Sequence, residues 1–298
     1  MLLVDKPAGM TSHDAVLAAR DRLRMRRIGH TGTLDPFATG LLLLLAGPFT
    51  RAMQYFHALA KRYTAVMRLG VETDTEDRTG TVIAGNEIWR RLTEVEVRGA
   101  LASRVGEGTQ VPPSYSAKKV EGRRAYTEAR RGAIVELAPV PITVHRLDLE
   151  RFDPPVVAFS TTVSTGTYVR SLARDIGRDL GCGAHLLELR RTRIGPFAVE
   201  DAVLLGEVAP PGSAGARGWL APAEALAWIP RRRLDRSEVA AVRNGRAIPA
   251  GSLEPPVPAT GPVGAPATGA VALVGEDGLV GVAARHGDEL RPRKVFPA

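Results

Sequence analysis

An aspartate inside a glycine-rich segment is the residue of this sequence best suited to chemistry. Asp35 lies within residues 29–40, GHTGTLDPFATG, whose glycines let the backbone approach a ligand closely. An aspartate has an ordinary pKa of about 3.9, so it is ionised at neutral pH and can act as a nucleophile without an activating base. Once desolvated, it needs a cationic partner to keep it ionised and oriented. The alternative is structural, because Asp followed by Pro36 is a common helix start with Asp as the N-cap.

No sequence motif indicates a bound cofactor or metal. The chain has neither a GxxxxGK[ST] phosphate loop nor a GxGxxG segment after a strand, so a nucleotide cofactor is unsupported. Cys182 and His185 form one close pair of candidate metal ligands, and two ligands do not make a metal site. The acidic cluster at residues 74–77 is similar to a calcium loop, but Gly80 is displaced from the position that an EF-hand requires. We therefore expect chemistry by side chains alone, with no cofactor and no metal.

Composition favours a folded protein of the cytoplasm. At about 150 residues per domain, 298 residues predict one large or two unequal domains, and 44% hydrophobic residues exclude wholesale disorder. The longest apolar run, residues 41–46, is far shorter than the roughly 18 residues of a membrane helix. The N-terminus does not have the pattern of a secretory signal. A single cysteine excludes an internal disulfide and fits a reducing compartment. The sequence thus predicts a soluble cytoplasmic protein without a membrane partner.

Positive charge is concentrated in two segments of a chain whose net charge is +8. Residues 20–27 contain five arginines and one aspartate, which gives +4, and residues 110–135 contain six basic and two acidic residues, which also gives +4. Guanidinium groups bind phosphate, and the tyrosines of the second segment can stack on bases. A solvated charged face would explain one cluster alone. Two clusters together favour a nucleic-acid partner.

The elements that must position these residues mix strands and helices without a regular βαβ rhythm, which favours an α+β fold over a doubly wound one. The predicted strands are residues 2–4, 63–69, 81–84, 156–169, 271–274 and 279–284. The predicted helices are one that begins after Ser12 as N-cap, residues 171–180 and residues 237–244. The Pro- and Gly-rich residues 209–218 indicate a boundary region, and residues 251–270, with one charged residue in twenty, predict a flexible loop.

Six segments together carry a resemblance to one family. The segment around Asp35 is preceded by KPAGMTS and accompanied by KRYTAVMRLGVETDTEDRTG, PPSYSAKKVEGRRAY, GTYVRSLARDIG and LRRTRIGPF. In this order they resemble the bacterial tRNA pseudouridine synthase B family, known as TruB, over residues 1 to about 205. That family isomerises the T-loop uridine at tRNA position 55. The resemblance implies the pseudouridine synthase fold, an α+β domain with a mixed, mainly antiparallel sheet.

The resemblance also implies a role for each matching residue. Asp35 is expected to be the catalytic carboxylate, Arg170 its cationic partner, and Tyr63 the ring that stacks on the target base and accepts the C5 proton. His30 is expected to help displace and replace the flipped base, with Leu189 packed against it. The further candidates for substrate binding are Lys6, Asp77, Lys118, Arg123, Arg124 and Tyr168.

The predicted organisation is a catalytic domain of residues 1–228 and a C-terminal domain of residues 229–298. An insertion at about residues 110–135 of the catalytic domain is expected to grip RNA. The sequence LRPRKVF, residues 290–296, resembles the closing strand of the PUA domain with which many family members end, although residues 251–270 interrupt that pattern. A small β-rich, PUA-like domain that binds RNA is therefore expected.

The predicted partner is the T-arm of tRNA, bound by a monomer. Two other functions fit parts of the sequence. One is a non-catalytic chaperone that binds and folds tRNA, in which Asp35 only caps a helix. The other is an RNA hydrolase that uses a carboxylate, but an obvious second acid or a metal cluster is missing from the sequence.

Overall fold

The computed structural model of the chain describes residues 1–115, 119–120, 123–124, 137–257 and 269–297. Within them the helices are α1 (Ser12–Leu23), α2 (Met53–His57), α3 (Glu94–Ala102), α4 (Val169–Asp179), α5 (Pro222–Ala225) and α6 (Arg236–Arg243). The strands are β1 (Leu2–Lys6), β2 (Ile28–His30), β3 (Thr39–Ala46), β4 (Lys61–Leu69), β5 (Val71–Thr73), β6 (Val82–Gly85), β7 (Gly106–Gln110), β8 (Lys119–Val120), β9 (Arg123–Arg124), β10 (Val140–Asp153), β11 (Val156–Val163), β12 (Ala184–Ile194), β13 (Phe197–Ala198), β14 (Val203–Leu204), β15 (Arg231–Arg233), β16 (Ile248–Pro249), β17 (Ala270–Gly275), β18 (Gly278–His286) and β19 (Glu289–Val295).

The chain divides into two compact units. The first unit consists of residues 1–59 and 193–298, and the second unit of residues 60–192. The chain therefore leaves the first unit after α2 and returns to it at the end of β12.

In the first unit, the uninterrupted apolar run of the sequence forms β3. This strand pairs antiparallel with β1 and with β2, and β1 also pairs in parallel with β14. Leu41, Leu43 and Leu45 belong to one core cluster with the phenylalanines of the following helices, whereas Leu42 and Leu44 belong to a second cluster with α1. Because both faces of β3 are buried, its leucines follow one another instead of alternating with polar residues.

The first unit also contains a separate five-stranded sheet between Arg231 and Val295. Its strand order is β15-β17-β18-β19-β16, in which β15 and β17 are parallel and the other pairs antiparallel. The apolar side of α6 packs on this sheet through Val242, beside Leu273 and Leu290. The α+β fold predicted from the sequence, a mixed and mainly antiparallel sheet with a small β-rich C-terminal part, is confirmed. The domain boundary at residue 229 stays a prediction.

The second unit is built on strands in the order β12-β4-β11-β10-β7. β4 pairs antiparallel with β11, so that Tyr63 lies opposite Thr161. Strict alternation along β4 buries Lys61, Tyr63 and every second residue after them. Because side chains alternate between the faces of a strand, Lys61 and Tyr63 share one buried face.

The structural alternative for Asp35, in which it caps a helix, is wrong. The Ala38 N–H donates to the Asp35 carbonyl oxygen (3.1 Å), which closes a turn, and β3 begins at the next residue, Thr39. The Asp-Pro pair starts turns as well as helices, and here pairing of the apolar run with β1 leaves no residues for a helix.

The other differences concern element ends. The N-cap of α1 is Thr11, not Ser12, because Thr11 and Asp14 form a capping box. The predicted strand of residues 156–169 ends at Val163, and the chain turns at Gly166, whose φ of 85° suits glycine. The other predicted strands and helices are confirmed with shifted ends. Residues 258–268 of the predicted flexible loop lie outside the described residues.

Candidate active site

Backbone and side-chain hydrogen bonds from the KPAGMTS segment hold the loop that carries Asp35. The Ser12 hydroxyl accepts from the Leu34 N–H (2.7 Å) and donates to the Leu34 carbonyl (3.2 Å). On the other side of Asp35, the Pro36 carbonyl accepts from the Gly9 N–H (2.8 Å). Asp35 thus lies half-buried between two anchored neighbours. The structure brings together two sequence segments that the resemblance singled out separately, and one of them fixes the backbone of the other.

Lys6 is completely buried at the start of that segment. Its ammonium donates to the carbonyl oxygens of Pro7 (2.7 Å) and Met10 (2.9 Å), which closes the turn that leads to Ser12. These contacts give Lys6 a structural role in the first unit. Its predicted contact with substrate stays a prediction.

His30 ends β2, and its register places it opposite Leu44 of β3. Its Nδ1 atom accepts a hydrogen bond from the Gly32 N–H (3.3 Å), and its side chain is half-buried. A ring nitrogen that accepts from the backbone fixes the orientation of the imidazole.

The second unit holds Tyr63 and Leu189 on neighbouring strands. Tyr63 of β4 is 7% exposed, and Leu189 of β12 is 6% exposed. Tyr168 is half-buried and directly precedes α4, where its N–H donates to Gln110 Oε1 (2.9 Å). An aromatic ring and an apolar side chain on rigid strands can supply the walls of a pocket for a planar base.

Arg170 is held in the first turn of α4 by several acceptors. Its guanidinium donates to the carbonyl oxygens of Thr75 (2.8 Å) and Tyr115 (3.0 Å), and Nη1 lies 3.7 Å from the Asp77 carboxylate. Asp77 is 4% exposed and also accepts from the Thr79 N–H (2.9 Å). Of the predicted site residues, the structure therefore brings Arg170 and Asp77 together within the second unit. The pairing of Arg170 with Asp35 of the first unit stays a prediction.

Two buried cations escaped the sequence analysis. Lys61 is 7% exposed and Arg191 is 1% exposed, and burial, reinforced by the charge of Arg191, lowers the pKa of Lys61 to about 7. The signal for Lys61 was present, since it stands two residues before Tyr63 in an alternating strand and so shares its buried face. Arg191 stands two residues after Leu189 in β12 and shares its buried face in the same way.

Besides the pair of Arg170 and Asp77, α4 forms a buried ion pair that the sequence analysis did not predict. Arg174 forms a close ion pair with Glu76, and the other Glu76 oxygen accepts from the Ser171 hydroxyl (2.7 Å). Burial raises the pKa of Glu76, and the charge of Arg174 opposes that rise. The sequence signal was the four-residue spacing of Arg170 and Arg174, which places both on one face of α4.

Part of the predicted RNA-gripping insertion lies outside the described residues, including Lys118. Arg123 and Arg124 form β9, which pairs antiparallel with β8. Among the described residues, no group of three or more His, Cys, Asp or Glu side chains is arranged to hold a metal ion. Within that same part of the chain, no helix combines the length and apolar character needed to cross a membrane.

The sequence matches two family models and is similar to named bacterial enzymes. The model of the N-terminal domain of TruB family pseudouridylate synthases matches residues 20–169, and that of the tRNA pseudouridylate synthase B C-terminal domain matches residues 170–211. The tRNA pseudouridine synthase B of Aromatoleum aromaticum is 42% identical over 297 residues, which cover 99% of this chain and 92% of that protein. The enzyme of the same name from Arthrobacter sp. is 40% identical over 304 aligned positions and covers 99% and 96%.

Solved structures extend this similarity to the fold. A chain in the crystal structure of a Cbf5-Nop10-Gar1 complex has a TM-score of 0.73 and 26% identity, and the match covers 99% of this chain and 84% of that chain. The archaeal box H/ACA sRNP Nop10-Cbf5 complex gives a TM-score of 0.70 and 26% identity, with 99% and 85% covered. The fold described above is thus shared with chains of these two complexes.

Proposed function

This chain belongs to the TruB family of pseudouridylate synthases, and on that basis we propose that it isomerises uridine 55 in the T-loop of tRNA to pseudouridine, with Asp35 as the catalytic carboxylate. Membership makes the chain a pseudouridine synthase, which is an isomerase. The name shared by its relatives, tRNA pseudouridine synthase B, supports tRNA as the substrate.

The position of Asp35 is the observation that carries the proposal for this residue. It does not cap a helix, yet the hydrogen bonds of Ser12 and Gly9 to its two neighbours fix its loop. A half-buried carboxylate on an anchored loop suits a group that must reach a substrate and be held in place while it reacts.

The reaction needs a carboxylate because it breaks and remakes one bond to the ribose. The bond between uracil N1 and ribose C1′ breaks, the ring turns, a bond forms between C5 and C1′, and the C5 proton leaves while N1 gains one. Asp35 assists the first step, as a nucleophile or by electrostatic support of the ribose. Arg170 keeps the carboxylate ionised, and Tyr63 stacks on the base and accepts the C5 proton.

The uridine must first leave the folded loop of the RNA, which costs a few kcal/mol of stacking and pairing. His30 displaces the base, and Leu189 and Tyr63 receive it on apolar and aromatic surfaces. The half-buried imidazole, oriented by Gly32, and the rigid strands that carry the other two residues support these roles.

Binding of the RNA backbone falls to the clustered arginines. The T-arm is gripped by residues 20–27 and by the insertion at about residues 110–135, each with a charge of +4, while the PUA-like C-terminal sheet adds contacts. The enzyme acts as a monomer in the cytoplasm, where its tRNA substrate is found.

The test is release of tritium from tRNA transcript labelled at uridine C5. The wild type should release label from position 55, and Asp35→Asn should release none while binding tRNA with unchanged affinity. Asp153→Asn, which removes an exposed carboxylate at the end of β10, serves as the matched control and should keep full activity. If Asp35→Asn releases label as the wild type does, Asp35 is not the catalytic residue. If the wild type releases none but refolds misfolded tRNA, the chaperone function is correct instead.

A further inference from the structure

Three hydrogen bonds tie the start of the insertion to the helix that carries Arg170. All three acceptors lie in residues 110–115, and all three donors lie in Tyr168 or in the first two turns of α4. The bonds run from the Tyr168 N–H to Gln110 Oε1 (2.9 Å), from Arg174 Nη2 to the Val111 carbonyl (3.0 Å), and from Arg170 Nη2 to the Tyr115 carbonyl (3.0 Å). A displacement of residues 110–115 therefore acts directly on the guanidinium of Arg170.

Arg174 joins a second segment to the same helix. One arm of its guanidinium pairs with Glu76, while the other reaches Val111, so one planar group connects two segments that are far apart in sequence. The side chains of Arg174 and Glu76 are each 11% exposed. The rigid fork of a guanidinium suits this double contact, which an ammonium cannot reproduce.

Glu76, the partner of Arg174 in this ion pair, lies in a turn with an unusual backbone conformation. Its φ of 62° lies in the left-handed region, which is unfavourable for a residue with a side chain. The turn is maintained by its N–H to Thr73 O (3.0 Å) and by Leu186 N–H to its carbonyl (3.0 Å). The residue that follows is Asp77, which faces Arg170 at 3.7 Å. The Glu76 side chain on Arg174 thus sets where Asp77 meets Arg170.

We infer that Arg174 is a positioning residue, which fixes residues 110–115 and the Glu76 turn against α4 and so orients Arg170 for the reaction. The inference rests on the proposed function, in which Arg170 acts with Asp35 and the insertion grips RNA. It further implies that RNA binding by the insertion and the orientation of the Arg170 guanidinium are coupled. The coupling runs through the Arg174 side chain, which has no role of its own in the proposed reaction.

Arg174→Lys is the informative variant, because it keeps the positive charge beside Glu76 but loses the bond to the Val111 carbonyl, together with the guanidinium contact to the adjacent Asp175. We expect kcat for tritium release to fall about tenfold, as the loss of one hydrogen bond to a charged group predicts, with KM unchanged and the melting temperature lowered by only about 2–4 °C. Arg178→Lys is the matched control, since Arg178 lies one turn further along α4 and forms an exposed pair with Glu72 (2.9 Å). It should keep wild-type kcat. Equal kcat for Arg174→Lys and the wild type would overturn the inference.

A second variant guards against misfolding. Glu76→Gln with Arg174→Met removes both charges of the Glu76 pair together, and the bond to Val111 is still lost. Asp175, which lies 2.8 Å from Arg174 and has a side chain 18% exposed, loses its partner but keeps contact with water. It should show the same loss of kcat as Arg174→Lys. Wild-type kcat in this folded double variant would show that Arg174 does not position Arg170.

Hydrogen exchange separates failure of the inference from failure of the proposed function. Without the Arg174 contact to Val111, the neighbouring bond from Tyr168 to Gln110 should open more often, so the Tyr168 amide should exchange faster in Arg174→Lys under conditions in which the variant stays folded. If the Tyr168 amide exchanges faster in Arg174→Lys but the wild type releases no tritium, Arg174 positions α4 and the proposed reaction is wrong. Unchanged exchange together with unchanged kcat, in a wild type that is active and an Asp35→Asn variant that is not, would reject the inference alone.

Discussion

Lys61→Met should remove a defined part of the pH dependence of folding. Lys61 is 7% exposed on the buried face of β4. Burial, and then the charge of Arg191, lower the pKa of its ammonium from 10.5 to about 7, because the charged form loses hydration and meets a second cation. Methionine has an unbranched side chain of similar length and no proton to lose, so it keeps the packing and removes the titration.

The direction follows from the number of protons bound in each state. The unfolded chain keeps the Lys61 proton up to about pH 10.5, whereas the folded protein releases it near pH 7, so the unfolded state binds more protons between these values. The free energy of unfolding therefore rises with pH across this window. With a folded pKa of about 7, Lys61 alone adds about 2 kcal/mol between pH 7 and pH 9. Below pH 7 both states hold the proton, and the cost of burying the charge is fully present.

Urea unfolding of the wild type and the variant between pH 6 and pH 9 measures this difference. The curves of unfolding free energy against pH should diverge by about 2 kcal/mol from pH 7 to pH 9. Arg62→Met is the control, since it removes a cation from the opposite face of the same strand, and a guanidinium does not titrate in this range. Its curve should run parallel to that of the wild type. If the Lys61→Met curve is also parallel, Lys61 titrates above this range and the account of its burial is wrong.

Two further predictions concern packing and RNA binding. Gly177→Ala should destabilise the protein by about 2 kcal/mol in urea unfolding, because its Cβ would lie 2.4 Å from the Ala184 backbone nitrogen, whereas Gly99→Ala, in open space on α3, should stabilise by about 1 kcal/mol. If both substitutions changed the free energy of unfolding in the same direction, the close packing of Gly177 against Ala184 would be contradicted. The dissociation constant for tRNA should rise steeply with salt, and Arg123→Glu with Arg124→Glu should lower that slope and raise KM more than it lowers kcat. If the dissociation constant did not change with salt concentration, the arginines would not be the residues that bind the RNA backbone.

The elements that the sequence predicted well are those in which a local period decides the structure. The alternation of residues 63–69 predicted β4, and the amphipathic pattern of residues 171–180 predicted α4 with an end shifted by two residues. A helix after Asp35 stayed open as an alternative because Asp-Pro begins helices and turns alike. Pairing of Leu42 with Val4 of β1 decides that case, and the pairing joins residues 38 positions apart.

In the candidate site, too, local features could be predicted from the sequence and long-range contacts could not. Asp35 could be singled out from residue types alone, since an ionised acid among glycines is suited to chemistry. The support of its loop could not, because the hydrogen bonds between Ser12 and Leu34 join residues 22 positions apart. Likewise, the basic face of α4 was visible in the spacing of its arginines, but its pairing with Glu76 depends on a left-handed turn that no local pattern predicts.

The second unit buries more positive than negative charge. Among its described residues, six charged residues are at most 9% exposed when the whole residue, backbone included, is counted. Four are cations and two are carboxylates, namely Lys61, Arg170, Arg174 and Arg191 against Glu76 and Asp77. Each buried ion costs several kcal/mol of desolvation, and apolar residues of similar volume would fold as well or better. A region that has already lost this hydration can bind an anion with little further reorganisation, which is how preorganised sites stabilise charge. The lowered pKa of Lys61 and the proposed use of Arg170 to keep the Asp35 carboxylate ionised then have one cause, the excess of buried positive charge. A substitution that removes one of these charges should therefore gain stability where the charge is poorly compensated and lose activity at the same time.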